Sequence, residues 1–218
     1  MRSSEQIKLL EDYVKTELAG DSSGHDWFHV ERVRNLAVKI GQKEGADLYL
    51  VETAALAHDL GDPKFTGGDE TVAPRLIGKK LTELNFSKED QEHVLYIVQN
   101  MSYSKSLSSQ NVEKTTEFKC VQDADRVDGM GAIGIARVFA YGGHQGRLIY
   151  DPEIKPKTQL TKEEYRSNQS TSINHFYEKL FKLKEQMNTE TGRGIAEERQ
   201  KFMERYLEHF FKEWKGEA

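Results

Sequence analysis

The chain has 218 residues, of which 37% are hydrophobic and 31% charged, enough to bury one substantial core while keeping a well-hydrated surface. A formal net charge of -5 excludes the basic excess of an indiscriminate nucleic-acid binder, and no apolar run approaches the roughly 20 residues of a bilayer span. The single cysteine, Cys120, can form no internal disulfide, and the amino-terminal MRSSEQIKLLEDYV has neither the apolar core nor the cleavage site of a secretory signal, so a soluble protein of the reducing cytoplasm is expected.

Only four prolines occur, and apolar residues return at spacings of three and four, so the pattern is helical nearly throughout. A first helix over about 4–19 (Ile7, Leu10, Val14, Leu18) ends at Gly20, and Asp21-Ser22-Ser23-Gly24 supplies turn and capping chemistry. A second, about 27–41, has the inner stripe Val33, Leu36, Ile40, with His29 on the same side. A third, about 47–60, places Val51, Ala54, Ala55 and His58 in register, its alanines permitting close helix approach. After a glycine-rich loop come helices over about 70–83 and 88–103, the latter capped by Ser87-Lys88-Glu89-Asp90. Ser104 to Thr116 reads as a loop.

From Glu117 one helix is expected to carry Phe118, Val121, Asp125, Asp128, Ala132 and Ile135 on one face, two acids interrupting an apolar stripe. The stretch from Gly142 to about Ser170 is too long for an ordinary connection and is expected to be an active-site cover or a partly structured excursion. Two closing helices, about 171–187 and 190–214, show the stripes Phe176, Leu180, Leu183, Met187 and Phe202, Tyr206, Phe210, Phe211. One domain, 1–218, with neither repeat nor low-complexity tract, is expected.

His29, His58, Asp59 and Asp125 all lie on or beside faces that should be apolar. A carboxylate in low dielectric takes up a proton or finds a cation, and neutral imidazole is a common metal ligand. Any one of these residues alone is more often a hydrogen-bonded core residue; four together suit a divalent metal inside a helical bundle.

His29, then Ala57-His58-Asp59, then Ala124-Asp125-Arg126 resembles the H…HD…D signature of the HD-domain metal-dependent phosphohydrolases. The blocks GHDWFHVERV, HDLGDPKF, DADRVDGMGAIGIAR and HFYEKLFKLKEQMNT are similar, in order, to the bacterial HD hydrolase subgroup over nearly the full chain. The resemblance implies an all-α HD-domain helical bundle with additional C-terminal helices, the motif-bearing core over about 20–140 and a loop and helices over about 141–218. It implies His29, His58, Asp59 and Asp125 as metal ligands. Asp123 competes for the last place; Asp125 is preferred because the family's acid precedes arginine and because Asp125 shares the stripe of Val121 and Ala132, leaving Asp123 to orient a histidine.

Two histidines and two carboxylates leave open positions and suit Mn²⁺, with Mg²⁺, Co²⁺ or Fe²⁺ as alternatives. One ion is expected: His93 is the sole histidine on the helix that carries second-metal ligands in some HD proteins, and its charged surroundings read as solvated surface, against the two-iron oxygenase branch. Lys64 and Arg126 flank the motif halves as phosphate partners, each weighed against a solvated surface cation. Asp62 is the candidate base, although Pro63 departs from the acidic pair of the alarmone-hydrolysing branch. The catalytic candidates are thus Asp59, Asp62, Lys64 and Arg126.

His25, after Gly24, reads as a residue at the start of its helix that caps it or touches substrate. Asn174, His175 and Lys179 share one helical face; Lys179 is the candidate phosphate contact there, beside an ordinary packing role. Gly129-Met130-Gly131-Ala132-Ile133-Gly134 satisfies GxGxxG, but the charged, helical DADRVD precedes it instead of a strand, so its glycines read as points of close backbone approach.

The activity implied is metal-dependent hydrolysis of a nucleotide, foremost a nucleoside triphosphate to monophosphate and pyrophosphate. Nucleotide phosphomonoesterase and cyclic-nucleotide phosphodiesterase are alternatives, and a non-catalytic nucleotide-sensing HD domain is the alternative of another class. A small-molecule nucleotide is the expected partner, with neither nucleic acid nor membrane; a homodimer stays open.

Overall fold

A computed structural model describes residues 2–19, 26–61, 67–102, 112–157 and 170–217. Among these residues there are nine α-helices and no strand, and no helix is long and apolar enough to cross a membrane. The chain divides into two compact units, Met1–Ala124 and Asp125–Ala218.

The first unit is built around its most apolar helix. α1 (Ser4–Glu17), α2 (Trp27–Glu44), α3 (Leu48–Ala57), α4 (Val72–Glu83) and α5 (Lys88–Asn100) are followed by α6 (Thr116–Asp128), whose residues 116–124 belong to this unit. In α3, Leu50, Val51, Thr53, Ala54, Ala55, Leu56 and Ala57 are all buried, so this helix has no solvent face of any width. α1, α2 and α5 cover it, and α4 packs on α5. Alanine at 54, 55 and 57 lets neighbouring backbones come close. Burying Leu50, Val51 and Leu56 stabilises by roughly 1.5–3 kcal/mol each.

The start of α3 is pinned. Asp47 caps its start, accepting from Tyr49 N at 3.1 Å and Leu50 N at 3.4 Å. Arg2 donates to Asp47 and also, at 2.6 Å, to Asp90 in the first turn of α5, tying the amino terminus to two helix starts. Ser87 caps α5 as expected, accepting from Asp90 N at 3.1 Å. The start of α2 departs from expectation: its cap is Asp26, which accepts from His29 N at 2.9 Å, instead of the run 21–24. Residues 20–25 lie outside the described residues.

In the second unit, α7 (Gly131–His144), α8 (Asn174–Glu178), 3₁₀ turns at Leu180–Lys182 and Lys184–Gln186, and α9 (Glu190–Trp214) follow the last turn of α6. The single helix expected from Glu117 through Ile135 is two. α6 ends at Asp128, Gly131 takes φ +72°, and α7 starts afresh, with Ala132 exposed instead of continuing the buried stripe. A Cβ at Gly134 would stand 2.3 Å from the Gly129 carbonyl oxygen, so the two backbone segments press together where the glycine run was read as a close approach.

The helix expected over 171–187 is likewise interrupted, Lys179 leaving helical geometry at φ -135°, ψ -58°. Its stripe Phe176, Leu180, Leu183, Met187 is nonetheless buried, because short 3₁₀ turns keep nearly the same spacing. α9 follows its expected bounds with a rotated inner face: Ala196, Met203 and Leu207 are buried, while Phe202 is 44% exposed. Helix α7 extends to His144, past the expected start of the long loop, and residues 158–169 lie outside the described residues.

Cys120 on α6 is fully buried, and burial, with Glu44, Asp123 and Glu117 nearby, pushes its thiol up to about 12. Since the thiolate is the reactive form, the folded protein is expected to leave a disulfide reagent unreacted at pH 8 and to titrate one thiol after denaturation. Rapid modification of the native chain would contradict this placement.

Candidate metal centre

Each ligand candidate of the first unit sits where its helix gives it little freedom. His29 is in the first turn of α2 and fully buried. His58 closes α3 as its C-terminal cap, and its Nδ1 meets the Ala55 carbonyl oxygen at 2.8 Å. A carbonyl can only accept, so that contact places the proton on Nδ1 and leaves the Nε2 lone pair facing inward. The contact also satisfies one of the carbonyls a helix leaves open at its end. Gly61, at φ +68°, then turns the chain away.

His58 Nε2 faces His29 Nε2 at 3.3 Å. Asp59 completes the convergence, its Oδ2 3.3 Å from His29 Nε2 and its Oδ1 3.5 Å from His58 Nε2, with only 8% of its side chain exposed. An inward-facing lone pair on His58 and a carboxylate in one buried spot call for a hydrogen-bond donor or a cation facing them. The helix carrying Asp125 is rooted in the first unit through the buried Phe118, Cys120, Val121 and Ala124, and it runs unbroken one residue further to Asp125. The donor set, imidazole with carboxylate and no thiolate, fits a divalent metal ion.

The other candidates fare differently. His25, Asp62 and Lys64 lie outside the described residues. Asp123 is fully buried on α6. Arg126 is no solvated cation: it is 7% exposed, and its Nη1 donates to the Gln186 carbonyl. His93, read as solvated, instead has Nε2 3.0 Å from Thr115 Oγ1 and 3.6 Å from Glu117 Oε2. Lys179 falls just beyond α8, so the shared helical face with Asn174 and His175 does not form; Asn174 is buried and donates to the Ile154 carbonyl at 2.8 Å. Sequence reasoning missed Asp26 as a cap, and missed Arg137 and Arg199, which clamp the end of α6. Arg199 was legible as a cation on the inner face of α9, between Ala196 and Met203, once that face is known.

Residues 27–130, which include all four ligand candidates, match the family model of the HD domain. YpgQ of Bacillus subtilis (strain 168) is 38% identical over 99% of this chain and 97% of its own length. The chain belongs to the HD-domain family. Among solved structures, this HD-domain chain resembles a Lactobacillus plantarum protein with a TM-score of 0.87 and 40% identity, covering 99% of this chain and 100% of that one. A Bacillus thuringiensis HD-superfamily hydrolase follows at TM-score 0.76 and 43% identity, over 97% of both chains. The structure of B. subtilis YpgQ in complex with ADP matches at TM-score 0.75 and 37% identity, over 97% of this chain and 100% of that one.

Two expectations follow. His58→Ala removes a ring nitrogen from the converging set and should weaken Mn²⁺ binding at least tenfold, measured by calorimetric titration of metal-free protein; unchanged affinity would remove His58 from the centre. His175 is a pH probe of the second unit: burial, then the charges of Lys179 and Arg147, drive it down to about 3 from an ordinary 6.5. Its neutral form is therefore favoured on folding, so the unfolded chain binds the extra proton between those values. Stability should be full above pH 6.5 and decline as pH falls toward 3, and the pH dependence of Tm should be shallower in His175→Gln; parallel curves would sink the assignment.

Proposed function

We propose that this HD-domain protein is a metal-dependent hydrolase of nucleotides, and that its reaction converts a nucleoside triphosphate to monophosphate and pyrophosphate. The observation that carries the reading is the buried meeting of His29, His58 and Asp59, where the His58 tautomer set by Ala55 turns a lone pair inward. The likeness to an HD-superfamily hydrolase and to a YpgQ structure holding ADP supports the hydrolase class and a nucleotide ligand.

His29, His58, Asp59 and Asp125 would hold one divalent ion, with Mn²⁺ favoured. Such an ion lowers the pKa of bound water and polarises a phosphoryl oxygen. The chain's own groups do the remaining work. The Ala55 carbonyl keeps His58 in its ligating tautomer, and Asp123 is the proposed partner orienting a histidine. Asp62 is the proposed base that takes the proton from the attacking water. Lys64 and Arg126 are the proposed phosphate partners. His25 and Lys179 are proposed substrate contacts further out. Phosphomonoesterase and cyclic phosphodiesterase activities would use the same centre with a different pocket. The free, buried Cys120 accords with a reducing cytoplasm as the setting.

A panel of nucleoside mono-, di-, tri- and cyclic phosphates with Mn²⁺, scoring phosphate and pyrophosphate separately, distinguishes these activities. Pyrophosphate from triphosphates is expected, abolished by chelator and restored by Mn²⁺. Release of phosphate alone would replace the reading with phosphomonoesterase, and binding without turnover would favour the sensing domain.

A further inference from the structure

The glycine run that mimics a dinucleotide fingerprint has no part in the metal centre, and neither has the cation on the inner face of α9. Within the second unit the two meet. α6 ends at Asp128, leaving the carbonyls of its last turn without helical partners. The Val127 carbonyl accepts from Met130 N at 2.9 Å and from Arg199 Nη1 at 2.6 Å. The stem of Arg199 lies over Gly131, where a Cβ would come within 3.0 Å of its Cγ. From α7, Arg137 Nη1 donates to the buried Asp128 carboxylate at 2.7 Å, and the backbone at Gly134 presses on the Gly129 carbonyl.

The turn so clamped is Asp125–Asp128. The final turn of a helix is the part most prone to fray, and a guanidinium at its carbonyl end both satisfies an open acceptor and opposes the negative end of the helix dipole. A side chain that must hold a metal within a few tenths of an ångström therefore stands on a turn that needs external support.

We propose that Arg199 is a positioning residue for Asp125: its guanidinium on the Val127 carbonyl, seated over Gly131, holds the last turn of α6 so that the Asp125 carboxylate is preorganised for the metal. The proposal rests on the reading of Asp125 as a ligand. It also assigns a reason to the glycines at 131 and 134, whose missing side chains let Arg199 and α7 close on that turn.

The test is Mn²⁺ titration of the metal-free full chain, followed by loss of the free-ion paramagnetic resonance signal, beside thermal unfolding of each variant. Arg199→Met keeps the stem and removes the donor, and should raise the Kd for Mn²⁺ about tenfold. Arg199→Gln, too short to reach the carbonyl, should show the same loss and serves if the first variant does not fold. Arg199→Lys, which retains a cationic donor, should restore most of the affinity. Met203→Ala, a cavity on the same face of α9, should lower Tm and leave the Kd unchanged. An unaltered Kd in both Arg199→Met and Arg199→Gln, or an equal loss in Met203→Ala, overturns the positioning role while the metal centre stands. A wild-type chain that binds no Mn²⁺ overturns the metal reading and the positioning role with it.

Discussion

The contact between His58 Nδ1 and the Ala55 carbonyl, 2.8 Å long, is the constraint on which the centre depends. A neutral imidazole has one proton for two nitrogens, and this contact commits it to the outer one. The inner nitrogen, 3.3 Å from that of His29, is then an electron pair aimed at another ring and at a carboxylate. Such an arrangement calls for a donor or a cation facing it, and the surrounding helices hold it in place. That support comes from α3 itself. A helix buried on nearly every side must be covered by α1, α2 and α5, so its terminus stays in the interior, where a polar residue has few ways to relax.

Charge and capping carry the same logic outward. Asp26 holds the first turn of α2 through the backbone N–H of His29, so one ligand candidate is fixed by its own main chain. Asp47 and Arg2 do the equivalent for the far end of α3. In the second unit, Arg126, Arg137 and Arg199 each spend a guanidinium donor on the last turn of α6 or its partners. Buried or half-buried arginine is well suited to this, since its planar, permanently charged group satisfies acceptors that lysine meets only as a point charge.

Much of this was legible in the residues. The helices of the first unit, the Ser87 cap and the burial of His29 follow from periodicity and from capping chemistry, both of which act over a few residues. The H…HD…D spacing pointed to the family. The failures have a common cause. Periodicity extends a helix wherever the apolar spacing continues, so 117–135 and 171–187 read as single helices; a left-handed Gly131 and an irregular Lys179 break them at the cost of only a local change in backbone angles. Helical spacing puts Phe202 on one stripe with Tyr206 and Phe210, yet the rotation of α9 about its axis is set by its neighbours, which seat Ala196 and Met203 instead.

The sequence by itself determined that this chain is helical, that two histidines and at least two acids are committed to apolar faces, and that its pattern is that of the HD domain. These are properties of residue type and spacing, readable without any long-range contact. Only the tertiary structure decided which nitrogen of His58 faces inward, that Arg126 is engaged with a carbonyl, and that the GxGxxG run is a joint under Arg199. Each depends on groups from about 60 or more positions away or on the backbone geometry of a helix end, and no local pattern encodes where those groups arrive.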